Sequence, residues 1–117
     1  MKLIISSYVL PPSESYPYAI SAKRYTSTTG SSNSPDALTL VFAHATGMHK
    51  ECFEPTIQHL FELGPSGGIR DAWAIDAVQH GHAAILNEEF LRNQYIERCK
   101  LFLIFCGFGF LHEDSVC

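Results

Sequence analysis

The sequence predicts an α/β chain: an N-terminal antiparallel strand pair, a β-α-β unit in a mostly parallel sheet, and a C-terminal apolar helix. Three stretches carry that prediction. Leu38-Thr-Leu-Val-Phe-Ala43 is apolar throughout except at Thr39, the pattern of a strand covered above and below rather than wetted on one face. Phe53, Ile57, Leu60 and Phe61 recur at i, i+4, i+7 and i+8, which places them on one face of a helix. Ala72–Val78 is a second apolar run, interrupted only by Asp76. Strand, helix and strand in that order make a crossover unit with a parallel strand pair.

The remaining elements follow from local chemistry. Residues 3–10 and 18–26 read as short strands, with Ile4, Tyr8 and Leu10 on one parity of the first and Tyr18, Ile20 and Ala22 on one parity of the second. Pro11, Pro12, Ser13, Glu14, Ser15 and Pro17 form the turn between them, and so short a connection favours an antiparallel pair. Residues 26–37 are Ser-, Thr-, Gly- and Asn-rich and read as a surface loop. Pro55 is tolerated only in a first helical turn, so the regular helix starts near Glu54, and Gly64 ends it. Asn87 stands where a cap for a further helix belongs, with Glu88 and Glu89 favourable in its first turn. Leu91, Tyr95, Cys99, Phe102, Leu103 and Cys106 continue at helical spacing.

With 117 residues, 46% of them hydrophobic and 17% charged, the chain is long enough for one domain with a core and too apolar to be disordered. A net charge of −4 gives no basic footprint for nucleic acid, and no charge run suits a membrane surface. Cys52, Cys99, Cys106 and Cys117 include no C-x-x-C pair, so buried reduced thiols are expected in place of a zinc or disulfide framework. Ser6, Ser7 and Tyr8 break the N-terminal apolar run, which therefore reads as a strand and not as a secretory signal. Residues 101–111 are apolar but well short of the ~20 needed to span a bilayer.

Functional groups of open α/β sheets gather at the carboxyl ends of strands. Two turns fall there: His44-Ala45-Thr46-Gly47-Met48 and His80-Gly81-His82. Small residues in the first let backbone N–H groups face a ligand, as an oxyanion hole requires; a ligand-free β-α turn is the plain alternative. Six histidines invite a metal, but no H-E-x-x-H occurs and no acidic residue has ligand spacing, so no metal and no cofactor are expected. The sequence holds no G-x-S-x-G, no G-x-G-x-x-G and no P-loop.

Residues 38–63 and 70–88, and most closely Val41-Phe-Ala-His-Ala-Thr-Gly-Met-His-Lys-Glu51, Glu54-Pro55 and Gln79-His-Gly-His-Ala-Ala-Ile-Leu-Asn-Glu88, resemble the N-terminal part of the α/β-hydrolase superfamily (AB hydrolase-1 type). The similarity is greatest to a fungal branch that includes peroxisomal and toxin-biosynthesis hydrolases. It implies a partial α/β-hydrolase fold with central strand order 1-2-4-3-5. It covers residues 1–90 and leaves 91–117 as a divergent apolar tail. It also implies that Thr46 donates an oxyanion N–H, Ala45 standing where the family usually has Gly, and that His44 is a structural turn histidine. Gly47, His80 and Gly81 complete the turns at the pocket edge. The family's nucleophile, acid and catalytic histidine lie on later strands, and none is matched here.

The resemblance thus implies a truncated hydrolase of the serine-hydrolase lineage, inactive alone, whose complete relatives act on small ester-like substrates. A retained intron or a frameshift would explain the tail. Two alternatives stay open: a non-catalytic ligand-binding or interaction module, and a small acid/base enzyme using Asp76, His80 or His82. Strand 38–43, deprived of a neighbour on one side, is expected to favour self-association. A cytoplasmic or peroxisomal location is expected, with no membrane span.

Overall fold

The computed structural model describes residues 2–29, 32–64 and 68–93. The expected C-terminal apolar helix, with Cys99, Cys106 and Cys117, lies outside the described residues. The elements are β1 (Leu3–Leu10), β2 (Ile20–Ser27), β3 (Leu38–Ala43), a 3-10 turn (Lys50–Phe53), α1 (Glu54–Leu63), β4 (Ile69–Ile75), α2 (Gly81–Leu86) and α3 (Glu88–Asn93). The strands form one sheet in the order β1-β2-β4-β3. β1 and β2 pair antiparallel from Leu3↔Ser27 to Leu10↔Ile20. β2 pairs antiparallel with β4, and β4 pairs parallel with β3. The mixed sheet with its crossover helix has the strand order that the resemblance implies for strands 1 to 4.

Helix α1 begins at Glu54 with Pro55 in its first turn, and it ends at Gly64, whose φ of 56° caps it. Ile57 and Phe61 bury the apolar face of α1 against Tyr25, Ile69, Ala72 and Ala74, with Phe53, Leu60, Leu40 and Phe42 packed around them. Small alanines at 72 and 74 let the helix approach the centre of the sheet. Phe42 meets Phe53 with ring centroids 5.1 Å apart.

Five expectations need correction. Strand β4 starts at Ile69, not Ala72, and it ends at Ile75. Asp76, one residue past the strand, still donates its N–H to Ser21 O in register with β2, and the chain then turns away: Ala77–His80 closes into a turn through His80 N–H to Ala77 O. The core residue of β2 is Tyr25, fully buried, on the parity opposite to Ala22; Ala22 is buried on the other face. In β1, Leu3 packs toward the core, whereas Ile4, Tyr8 and Leu10 are exposed. Among the described residues strand β3 is covered on one face only: Val41, on the other, is 66% exposed. Among those residues, an apolar run therefore marked a strand with one sheet neighbour, not one sandwiched between helices. Cys52, expected to be buried, is an exposed free thiol.

The uncovered face of the sheet is organised by Asp71. Its carboxylate accepts hydrogen bonds from Thr39 Oγ1 (2.7 Å), Arg24 Nε (2.8 Å) and Trp73 Nε1 (3.2 Å). Arg24 also lies over the Trp73 ring, and Tyr8 packs against that ring, 5.1 Å from it between centroids. Burial alone would raise the Asp71 pKa, but the three donors outweigh it and hold the carboxyl below its ordinary range.

Candidate functional site

Parallel pairing of β3 with β4 brings their carboxyl ends side by side, with Ala43 opposite Ile75. The chain leaves each strand through a histidine turn, and the two turns are tied to each other in both directions. The Ala77 N–H, after β4, donates to His44 Nε2, after β3 (3.0 Å). The Gly47 N–H, after β3, donates to His80 Nε2, after β4 (3.0 Å). The two rings meet edge to face, 5.1 Å between centroids.

These partners fix the tautomers. An imidazole nitrogen that accepts from a backbone N–H carries no proton, so both rings hold theirs on Nδ1. His44 donates from Nδ1 to Ala45 O (2.9 Å). Its Nε2 lies 3.8 Å from Asp76 Oδ1, but no proton lies between them, so the contact is not an ion pair. His80 Nδ1 is buried and has no partner among the described residues. Burial lowers the His80 pKa, proximity to His44 lowers it further, and Asp76 opposes the shift.

The 45–48 turn closes through Met48 N–H to Ala45 O (3.1 Å), with Gly47 at φ 82°. A positive φ at the third residue is the type II arrangement, which glycine supplies at least cost. Thr46 sits exposed at the tip, and among the described residues its N–H has no intramolecular acceptor. The sequence reading left the N–H groups of this turn free as a set. The structure commits Gly47's to His80 and leaves that of Thr46.

Beneath the turns lies Asp76, its side chain wholly buried. Oδ1 accepts from the Lys50 backbone N–H (2.8 Å). Oδ2 accepts from Lys50 Nζ (2.6 Å) and from the His82 N–H (3.1 Å). A single carboxylate thus pins the start of the 3-10 helix and the start of α2. Gly81, at φ 53°, passes so close that a Cβ there would lie 2.7 Å from both carboxylate oxygens. Lys50 is the residue that sequence reading missed. A lysine at a helix start ordinarily points to water, yet this one is 3% exposed and bridges Asp76 and Glu51. No local signal could have revealed it, because its partner lies 26 residues away.

Glu51 extends the charge network to His49, Lys50 and Lys23. Burial opposes ionisation there, but hydrogen bonds from His49, Lys50, its own N–H and Lys23 prevail and bring its pKa to about 2. Asn87, expected to cap a helix, does precede α3, but its side chain works elsewhere. Its Oδ1 accepts from the Ala19 N–H (2.7 Å), and its Nδ2 donates to Ala19 O and Ala83 O (2.9 and 2.8 Å). It therefore clamps α2 to the start of β2. His82 reaches the same strand, with Nδ1 3.3 Å from Ser21 Oγ. Among the described residues no group of three or more His, Cys, Asp or Glu side chains could hold a metal ion. Among them, too, no helix is long and apolar enough to cross a membrane.

No family model matches the chain, and no curated protein matches it. Among solved structures it is similar to the peroxisomal α/β-hydrolase Lpx1 of Saccharomyces cerevisiae, with 26% identity over 74% of this chain and a TM-score of 0.51. The match takes in 25% of that hydrolase, so the chain spans about a quarter of its length. The likeness and the sheet order together give this chain an α/β-hydrolase-like fold.

Proposed function

We propose that this chain carries one half of a hydrolase active site of the serine-hydrolase lineage. The Thr46 N–H, held at the tip of a cross-tied turn with no partner among the described residues, is the observation that supports this reading. Such a donor suits an oxygen on which negative charge develops during attack on an ester-like carbonyl. His44, Ala45, Gly47, His80 and Gly81 shape and hold that turn. The sequence supplies no G-x-S-x-G, so the chain alone binds a small acyl group without turning it over. The N-terminal unit of residues 1–90 supplies the oxyanion half, and complete relatives supply nucleophile, acid and base. We place the chain in the cytoplasm or in peroxisomes, the second in line with the peroxisomal yeast hydrolase to which it is similar.

Hydrolysis of p-nitrophenyl acetate tests the reading, with a rate equal to that of buffer expected. A turnover that His80→Ala abolishes would overturn it in favour of acid/base catalysis by Asp76 and His80. Titration with phenylphosphonate should move the Thr46 amide resonance, and no movement would remove the oxyanion role. Strand β3 has a sheet neighbour on one side only among the described residues and carries no charge along its length, and we assign self-association to that edge. Light scattering should show species above the mass of one chain, reduced by Val41→Lys.

A further inference from the structure

The two reciprocal bonds between the turns share a chemical weakness: each acceptor is an imidazole nitrogen. His44 is sealed in, its side chain fully buried and both of its nitrogens occupied. His80 is only partly buried, and its bond to Gly47 lies in an exposed setting, so solvent protons reach it first. We propose that His80 is an acid-opened latch on the 45–48 turn. The neutral ring holds the Gly47 N–H, and uptake of one proton from solvent at Nε2 sets N–H against N–H and releases the turn. The inference rests on the cross-tie and stands whether or not Thr46 serves an oxyanion.

The charged and titratable groups around the latch come from four segments. His44 and, farther out, His49 lie on the loop after β3; Lys50 and Glu51 lie on the 3-10 helix; Asp76 directly follows β4; and His82 lies on α2. Lys50 already neutralises Asp76 at 2.6 Å, and Glu51 is shared among cations, so neither of these two carboxylates is free to accept the His80 imidazolium. The orphaned Nδ1 would carry a proton in both states, which leaves Nε2 as the only titrating position. Burial and His44 together put the transition below the ordinary imidazole value. Release frees the backbone of Thr46 and Gly47, so the presentation of the turn changes while the Asp76 cluster beneath it stays closed.

Nuclear magnetic resonance of the full chain from pH 8 to pH 5 tests the latch. Long-range nitrogen–proton spectra should show His80 as the Nδ1–H tautomer at high pH. As pH falls, the Gly47 amide should shift upfield with the same midpoint as the His80 ring. Its solvent exchange, corrected for intrinsic rate, should rise about tenfold, the factor an ordinary hydrogen bond is worth. His80→Gln places a non-titrating acceptor near the Nε2 position and should abolish the step. A Gly47 amide that does not move while His80 titrates overturns the latch, as does an Nε2–H tautomer at high pH. A step retained in His80→Gln also overturns it. The wild-type measurements decide the question even where the variant does not fold.

Discussion

Two aspartates five positions apart, Asp71 on β4 and Asp76 just past its end, are both buried and both accept from several donors, yet they are built differently. Asp71 takes its bonds from side chains: Thr39 Oγ1, Arg24 Nε and Trp73 Nε1. Asp76 takes two of its three from backbone N–H groups, those of Lys50 and His82, and the third from a buried ammonium. A hydroxyl can rotate and become an acceptor; a backbone N–H or an ammonium cannot. Asp71 is therefore a repairable node that ties three strands together. Asp76 is an unrepairable one that sets the course of the chain at the carboxyl edge, where the candidate site lies.

Substitution by asparagine turns this contrast into numbers. Asp76→Asn keeps the volume, but either orientation of the amide places NH2 against donors and strands Lys50, so we expect a loss of about 3–5 kcal/mol in denaturant unfolding. Gly81→Ala tests the same node from the other side. A left-handed backbone and a Cβ 2.7 Å from the Asp76 oxygens should cost about 2–3 kcal/mol. Asp71→Asn can leave its oxygen on Arg24 and Trp73 while the amide donates to a rotated Thr39 hydroxyl, so about 1 kcal/mol is expected. Equal costs for the two asparagine variants would break the comparison.

The smallest effect is the pH profile of melting. His80 has a lowered folded pKa, so the unfolded chain binds more protons and its contribution disappears as pH falls below about 6.5. Asp71 and Glu51 also have lowered values; their contribution is complete above the ordinary carboxylate range and is lost as pH falls toward 2. Calorimetry should thus show a slight decline below pH 6.5 and a steeper one below about 4, and Asp71→Asn should soften only the second.

Sequence pattern located what short-range chemistry decides. The bounds of β1 and β3, the start of α1 at Glu54 and its stop at Gly64 all follow from periodicity, proline and glycine. The C-terminal end of β4 escaped because its apolar character runs on through Ala77 and Val78, while the chain leaves the sheet where the Ala77 N–H is taken by His44 Nε2, 33 positions away, and the 77–80 turn closes. The two turns were visible as His-containing, small-residue segments. Their mutual bonds were not, because a histidine that accepts and one that donates look the same in a sequence. Lys50 was missed and Asn87 misjudged for a related reason: each has an ordinary local role available to it, surface charge or helix cap, and each is used instead for a distant backbone or buried carboxylate.

The sheet order also fixes a timetable. Pairing of Ala22 with Ile75 closes a gap of 53 positions, and β4 must insert between β2, which precedes β3, and β3 itself. As the chain emerges from the ribosome the β1–β2 hairpin can form at once, but β3 has no neighbour until about residue 75 has appeared. For that interval Leu38–Ala43 is an apolar strand with both edges open. A chaperone that shields extended apolar segments, or slower synthesis across residues 44–75, would therefore change the yield of folded protein without altering any contact in it.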